Sequence, residues 1–252
     1  AILATPVRSS PVSTGQGRHD LILTIDKDIQ YKAQQALKSA VDKSKARGGH
    51  CLVVDPETGE ILAMAVMPEY NPNIFSKYRP NQWRNRAITD CFEPGSTIKA
   101  FLLAASLEEG VITPNTIFDC ENGEYKVGGY ATETHDHFGV FGLSDIIIQS
   151  SNIGAIKIGD KIGYETFYDY LRKFGFGSMA DIDLLGERTG YIREAGNAKQ
   201  IDKASLFFGQ GMTITSLQLV MAMAAIANGG ELMRPYVVKA IKDDSGHYVR
   251  KI

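Results

Sequence analysis

Apolar positions recur along this chain in two periods, and they divide it into helical and extended stretches. Ile29, Ala33, Ala36, Leu37, Ala40 and Val41 fall at helical spacing, which predicts a helix over about 27–45 capped by Asp26. Two short apolar runs at about 51–55 and 60–66 flank Pro56 to Gly59 and predict a strand pair with a turn between them. Residues 68–92, with their Asn and Pro, predict an irregular segment. The run from Thr97 to Glu109 is apolar nearly all round and stops at Gly110, the pattern of a buried helix. Residues 110–142 show little periodicity. A connection that long is usually functional, and this one can border a cleft. Helices are expected after Ser144, Ser151 and Tyr164, and Thr215 is expected to cap another that ends at Asn228-Gly229-Gly230. Residues 236–252 read as two short strands around Asp243-Asp244-Ser245-Gly246. Residues 1–20, polar and carrying Pro and Gly, read as a linker or tail.

Composition narrows the class without naming a function. The chain has 252 residues, of which 44% are hydrophobic and 22% charged, enough to bury a sizeable core. A net charge of -2 offers no electrostatic case for nucleic acid or an anionic membrane. No apolar run approaches membrane-spanning length. Cys51, Cys91 and Cys120 allow one disulfide at most, their spacing fits no zinc pattern, and buried free thiols are the expectation. His135-Asp136-His137 lacks an indicated third metal ligand and reads as an exposed or cleft-lining loop.

Chemistry concentrates in Glu93-Pro94-Gly95-Ser96-Thr97-Ile98-Lys99. Pro94 and Gly95 form a turn, so Ser96 stands at or near a helix N-terminus, where free N–H groups favour developing negative charge. Lys99, three residues on, projects from the same face. Among apolar neighbours its neutral amine is favoured, and a neutral amine can take the Ser96 proton. A capping serine followed by a snorkelling lysine has the same spacing. A second motif tips the balance. Ser150-Ser151-Asn152 is the only Ser-x-Asn here, and it separates Ile146-Ile147-Ile148 from the apolar run Ile153 to Ile158. Ser150 can relay a proton between Lys99 and a leaving group, and the Asn152 amide can hold a substrate carbonyl and bond the lysine.

With these two motifs in order, the chain resembles the transpeptidase domain of a class B penicillin-binding protein, of the penicillin-recognising serine acyltransferases. The resemblance extends over nearly the whole chain. Leu23-Thr24-Ile25-Asp26 with Ile29-Gln30 resembles the family's entry to its first helix, and Val54-Asp55-Pro56-Glu57-Thr58-Gly59-Glu60-Ile61-Leu62-Ala63-Met64 its first hairpin. Tyr70-Asn71-Pro72-Asn73 and Asn85-Arg86-Ala87 resemble its approach to the nucleophile. Phe208-Gly209-Gln210-Gly211 and the segment Leu217 to Gly230 resemble the stretch before its third motif. That third motif, Lys-Thr-Gly, is absent. Its one look-alike, Arg188-Thr189-Gly190, resembles the family's acidic Gly-Glu-x-x-Gly loop instead, so the chain is expected to stop short of the motif.

The resemblance implies an α/β fold of the α+β type, β-lactamase/transpeptidase-like. An antiparallel sheet is flanked by helices and stands beside an all-helical lobe, with the cleft between them. Residues 21–252 would form a partial domain with sheet strands at about 51–66, the helical lobe at about 96–230 and a C-terminal hairpin at about 236–252. The sheet is expected to be incomplete, with one edge of strand 51–55 unpaired. The implied activity of the intact protein is D,D-transpeptidation, with Ser96, Lys99 and Ser150 catalytic and Asn152 binding substrate; without the third motif, these 252 residues alone are expected to be impaired or inactive. The implied partners are peptidoglycan stem peptides, β-lactams, a membrane glycan polymerase and other wall-synthesis proteins, with no metal or other cofactor. The whole protein would lie outside the cytoplasmic membrane on an N-terminal anchor. A β-lactam sensor or wall-synthesis scaffold, a D,D-carboxypeptidase and a β-lactamase using Glu187 remain alternatives.

Overall fold

The computed structural model describes residues 19–121, 124–127, 130–133, 139–194, 196 and 199–251. The chain opens with β1 (His19–Leu23), α1 (Lys27–Ser44), β2 (Gly49–Val54), β3 (Ile61–Met67) and the single turn α2 (Arg86–Thr89). Its middle holds α3 (Ile98–Glu108), β4 (Ile117–Asp119), β5 (Glu124–Val127), β6 (Tyr130–Glu133), β7 (Val140–Gly142), α4 (Leu143–Ile148), α5 (Asn152–Ile162) and α6 (Tyr164–Lys173). The remainder is β8 (Tyr191–Ile192), α7 (Gln200–Leu206), β9 (Met212–Thr213), α8 (Ser216–Ala227), β10 (Val238–Asp243) and β11 (Tyr248–Lys251). Two compact units result. Of the described residues, the first comprises those within 19–90, 179–188 and 215–251, and the second those within 91–178 and 189–214.

The first unit is built on small antiparallel sheets flanked by helices, as the α+β expectation requires. β2 pairs with β3 from Gly49 opposite Met67 to Val54 opposite Ile61. β10 lies between β1 and β11. Asp26 caps α1 as the sequence predicts, accepting from the N–H groups of Asp28 and Ile29, both at 2.9 Å. The helix lays Ile29, Ala33 and Leu37 on Ala63 and Ala65 of β3. On the other side, Leu217 and Met221 of α8 join Ile61, Met64, Ile88 and Val237 in the larger core. Helix α8, expected in the helical lobe, therefore belongs with the sheets. Thr24, 6% exposed, ties the two sheets together: its N–H donates to Val237 O at 2.8 Å and its hydroxyl to Ile61 O at 2.7 Å.

Among the described residues the β2–β3 pair has one guarded edge and one edge with no strand beside it. Along β3, Ile61 N–H donates to Tyr236 O, and Leu62 O accepts from Asp26 N–H. Gln30 then copies a strand partner, accepting from Met64 N–H at 2.7 Å and donating to Met64 O at 3.2 Å. Among the described residues β2 pairs only with β3. An open strand edge is a template for another strand. The chain is therefore expected to self-associate as its concentration rises, read as mass by size exclusion with light scattering. A monomer at every concentration with cooperative melting would contradict this.

Strand β1 begins at His19, inside the segment expected to be a linker; residues 1–18 lie outside the described residues. Its five residues pair with β10 at the far end of the chain, His19 opposite Asp243, a relation no local pattern carries. β1, β10 and β11 thus add a three-stranded sheet to the two clear strands at 51–66.

The second unit was expected to be all helical, and it is not. Helices α3, α5, α6 and α7 pack together, while β4 pairs with β7, β5 with β6 and β8 with β9. These strands are two to four residues long, too short for alternation to show. Phe101 of α3 meets Phe174 and Phe176 edge to face, with centroids 5.0 and 5.1 Å away. Gly159 lets α5 approach Phe207, whose ring would lie 2.2 Å from an added Cβ.

Candidate active site

The four residues singled out from sequence meet within the second unit. Ser96 lies in a 3-10 turn, Gly95–Thr97, that runs into α3, with Gly95 at φ 57. Thr97 Oγ1 donates to Pro94 O at 2.8 Å and closes the turn. Lys99 occupies the first turn of α3 beside buried Ile98 and Leu102, and is itself 1% exposed. The buried face of α3 carries Ile98, Phe101, Leu102 and Ala105, while Leu107 is exposed, so burial is one-sided rather than complete.

Ser150 links α4 to α5 with φ 55, a left-handed conformation uncommon for a residue with a side chain. It turns both its carbonyl and its hydroxyl toward the lysine. Ser151 takes the ordinary capping role, accepting from Gly154 N–H at 3.0 Å. Asn152 then stands at the start of α5. Capping thus accounts for the middle residue of the triplet and leaves the outer two for Lys99.

Lys99 Nζ is the hub. It lies 3.1 Å from Ser96 Oγ, 3.0 Å from Ser150 Oγ, 2.5 Å from Ser150 O and 2.8 Å from Asn152 Oδ1. Ser150 Oγ donates to Ser96 Oγ at 2.8 Å. Counting protons shows what the arrangement can do. Two of the four partners, Ser150 O and Asn152 Oδ1, can only accept, and they take the two N–H bonds of a neutral amine. Its lone pair then faces the hydroxyls and can accept the Ser96 proton. Once charged, the amine has a third N–H to offer a hydroxyl. Burial pushes Lys99 down from 10.5 to about 8, so both states lie close to neutral pH. Ser96 and Ser150 are exposed above it.

Sequence reasoning missed the Ser150 carbonyl as a lysine partner, because it depends on a backbone conformation with no local signal. Among the described residues no group of three His, Cys, Asp or Glu can hold a metal. The His135-Asp136-His137 segment lies outside them. The three cysteines are free; Cys120 is buried, Cys51 half-buried and Cys91 exposed, so burial as expected holds for Cys120 alone. Burial pushes the Cys120 thiol up. Glu187, which a hydrolase would aim at a water, accepts instead from Ala180 N–H at 2.5 Å and Ile182 N–H at 3.3 Å.

A serine against a buried lysine, with Ser-x-Asn facing both, is the pattern of the penicillin-recognising serine acyltransferases. Residues 49–251 match the model of the penicillin binding protein transpeptidase domain, and the chain belongs to that family, in its class B branch. Peptidoglycan D,D-transpeptidase FtsI of Escherichia coli K12 is 34% identical over 226 residues, covering 90% of this chain and 38% of that protein. A probable peptidoglycan D,D-transpeptidase of Pseudomonas aeruginosa, PbpC, is 33% identical over 95% of this chain and 42% of its own length. The crystal structure of penicillin binding protein 3 of Mycobacterium tuberculosis in complex with aztreonam superposes with a TM-score of 0.87 at 31% identity, covering 93% of this chain and 53% of that one. This chain thus spans about two fifths of the length of these curated relatives.

Proposed function

We propose that the protein to which this chain belongs is a serine D,D-transpeptidase that cross-links peptidoglycan stem peptides and is acylated by β-lactams. The observation that carries this reading is the single amine of Lys99 within hydrogen-bond reach of Ser96 Oγ, Ser150 Oγ and Asn152 Oδ1. The D,D-transpeptidase names of its relatives and the aztreonam bound by its structural neighbour support it. Such a protein works outside the cytoplasmic membrane, held by an N-terminal anchor, beside a glycan polymerase that supplies the strands to be joined.

The chemistry follows from the contacts. Ser96 Oγ attacks the carbonyl carbon of the penultimate D-alanine of a stem peptide while its proton passes to Lys99 Nζ. The Ser96 N–H supplies one donor to the developing oxyanion. As the tetrahedral centre collapses, the C–N bond to the terminal D-alanine breaks, and Ser150 hands the proton from Lys99 to the departing nitrogen. Asn152 holds the acyl portion. The amine of a second stem peptide then attacks the ester carbon, a new amide bond forms, and Ser96 leaves with the proton returned through Lys99. A β-lactam follows the first half, its ring amide opening onto Ser96.

Incubation of the whole protein with benzylpenicillin tests the proposal. A covalent adduct in the intact mass, mapped to the peptide carrying Ser96, is the expected result; an unreacted protein, or an adduct mapped elsewhere, would count against it.

The pH dependence has a definite sign. Acylation needs Lys99 neutral, so its rate should rise about tenfold per pH unit below about 8 and level off above it. Stopped-flow acylation across that range checks this, and a flat profile would exclude Lys99 as the base. Stability runs the same way. Folded Lys99 loses its proton near 8 and unfolded lysine near 10.5, so the unfolded state binds more protons between them and this residue's contribution to stability grows with pH there.

A further inference from the structure

We infer that Glu93 is a positioning residue for Ser96: its carboxylate clamps the nucleophile-bearing turn to the loop around Gly209–Gly211. The inference rests on the acylation reading above and adds a residue to which that reading gives no role. Four hydrogen bonds fasten residues 92–95 to residues 209–214. Phe92 N–H donates to Ile214 O and Ile214 N–H to Phe92 O, each at 2.9 Å. Gly95 N–H donates to Gly209 O at 3.0 Å. Between them Glu93 Oε1 accepts from Gly211 N–H at 3.0 Å, a side chain doing the work of a ladder carbonyl.

The seat beneath the turn admits glycine alone. Gly209 has φ 81, and a Cβ there would lie 2.0 Å from Gly95 O and 2.7 Å from Gly95 C. The loop therefore presses directly on the backbone one residue before Ser96. Its hold matters because the Ser96 Oγ to Lys99 Nζ contact, at 3.1 Å, has little slack. Lys99 is fixed from the other side by Ser150 and Asn152, so drift of the turn lengthens that contact while the lysine stays put. A misplacement of about 1 Å can cost about 10²-fold in rate. Glu93 is exposed, so its role is not core packing.

The test compares Glu93→Ala and Glu93→Gln in the full chain, with saturation kinetics of benzylpenicillin acylation separating binding from the acylation step. Glu93→Ala should slow the acylation step by about 10- to 10²-fold. Its binding constant, melting temperature and pH midpoint near that of Lys99 should be nearly unchanged. Glu93→Gln keeps an acceptor oxygen at the same reach and should restore most of the rate. Wild-type acylation in Glu93→Ala, equal losses in both variants, or a loss that tracks melting temperature would each overturn the inference. If the wild-type chain takes no penicillin, the acylation reading falls separately, and amide exchange at Gly95 and Gly211 decides on the clamp. Faster exchange in Glu93→Ala sustains it, and unchanged exchange overturns it.

Discussion

Ser96→Ala is expected to remove the penicillin adduct completely while leaving the fold intact. The exposed Oγ is the only Ser96 atom that the variant loses, and its contacts are to Lys99 and Ser150, which still bond each other at 3.0 Å. Intact mass after incubation measures the adduct, and thermal melting controls for the fold. An adduct that persists in a folded Ser96→Ala chain would move the nucleophile elsewhere; Ser150, the other hydroxyl on the lysine, would be the first place to look.

Lys99→Met should lower the acylation rate by about 10²–10⁴-fold, the usual contribution of a general base. Methionine fills much of the same space and keeps the apolar stem that packs in α3. The variant leaves Ser150 O and Asn152 Oδ1 without the amine, but Ser150 is exposed, and water can replace it there. Removing a buried amine that is half charged near pH 8, and mostly charged below it, also relieves the folded state, so melting should hold or rise. Lys99→Arg is the sharper control. A guanidinium keeps positive charge but cannot give up its proton in this range, so it should be as slow as methionine. If Lys99→Arg retained most of the rate, the lysine would be supplying charge rather than proton transfer.

The candidate site was unevenly readable in the sequence. Ser96 and Lys99 are three residues apart on one helical turn, so their meeting follows from helix geometry alone. Ser150 and Asn152 lie more than fifty residues further on, and nothing local says that they come back to the lysine; a polar triplet between two apolar runs suggested the link, and the resemblance supported it. The left-handed backbone at Ser150 and the Glu93 contact with Gly211 were beyond reach, because each depends on tertiary partners. In the fold, helices with side-chain caps were placed well. Asp26 and Thr215 start α1 and α8 one residue later, and Ser151 starts α5. Strand β1 and the hairpins between α3 and α4 escaped because they are short and their pairing is not local. The assignment of α8 turned on which neighbours Leu217 and Met221 found, information absent from a pattern that is apolar on nearly every face.

The guarding of β3 by Gln30 sets a stoichiometry. Because that side of the β2–β3 pair is closed by Tyr236, Asp26 and Gln30, β2 is the one strand among the described residues that this sheet leaves to offer a neighbour. Two copies joined β2 to β2 about a two-fold axis use up both open edges and leave none to recruit a third. Association through this pair is thus self-limiting, ending at a doubled mass rather than growing into a fibre.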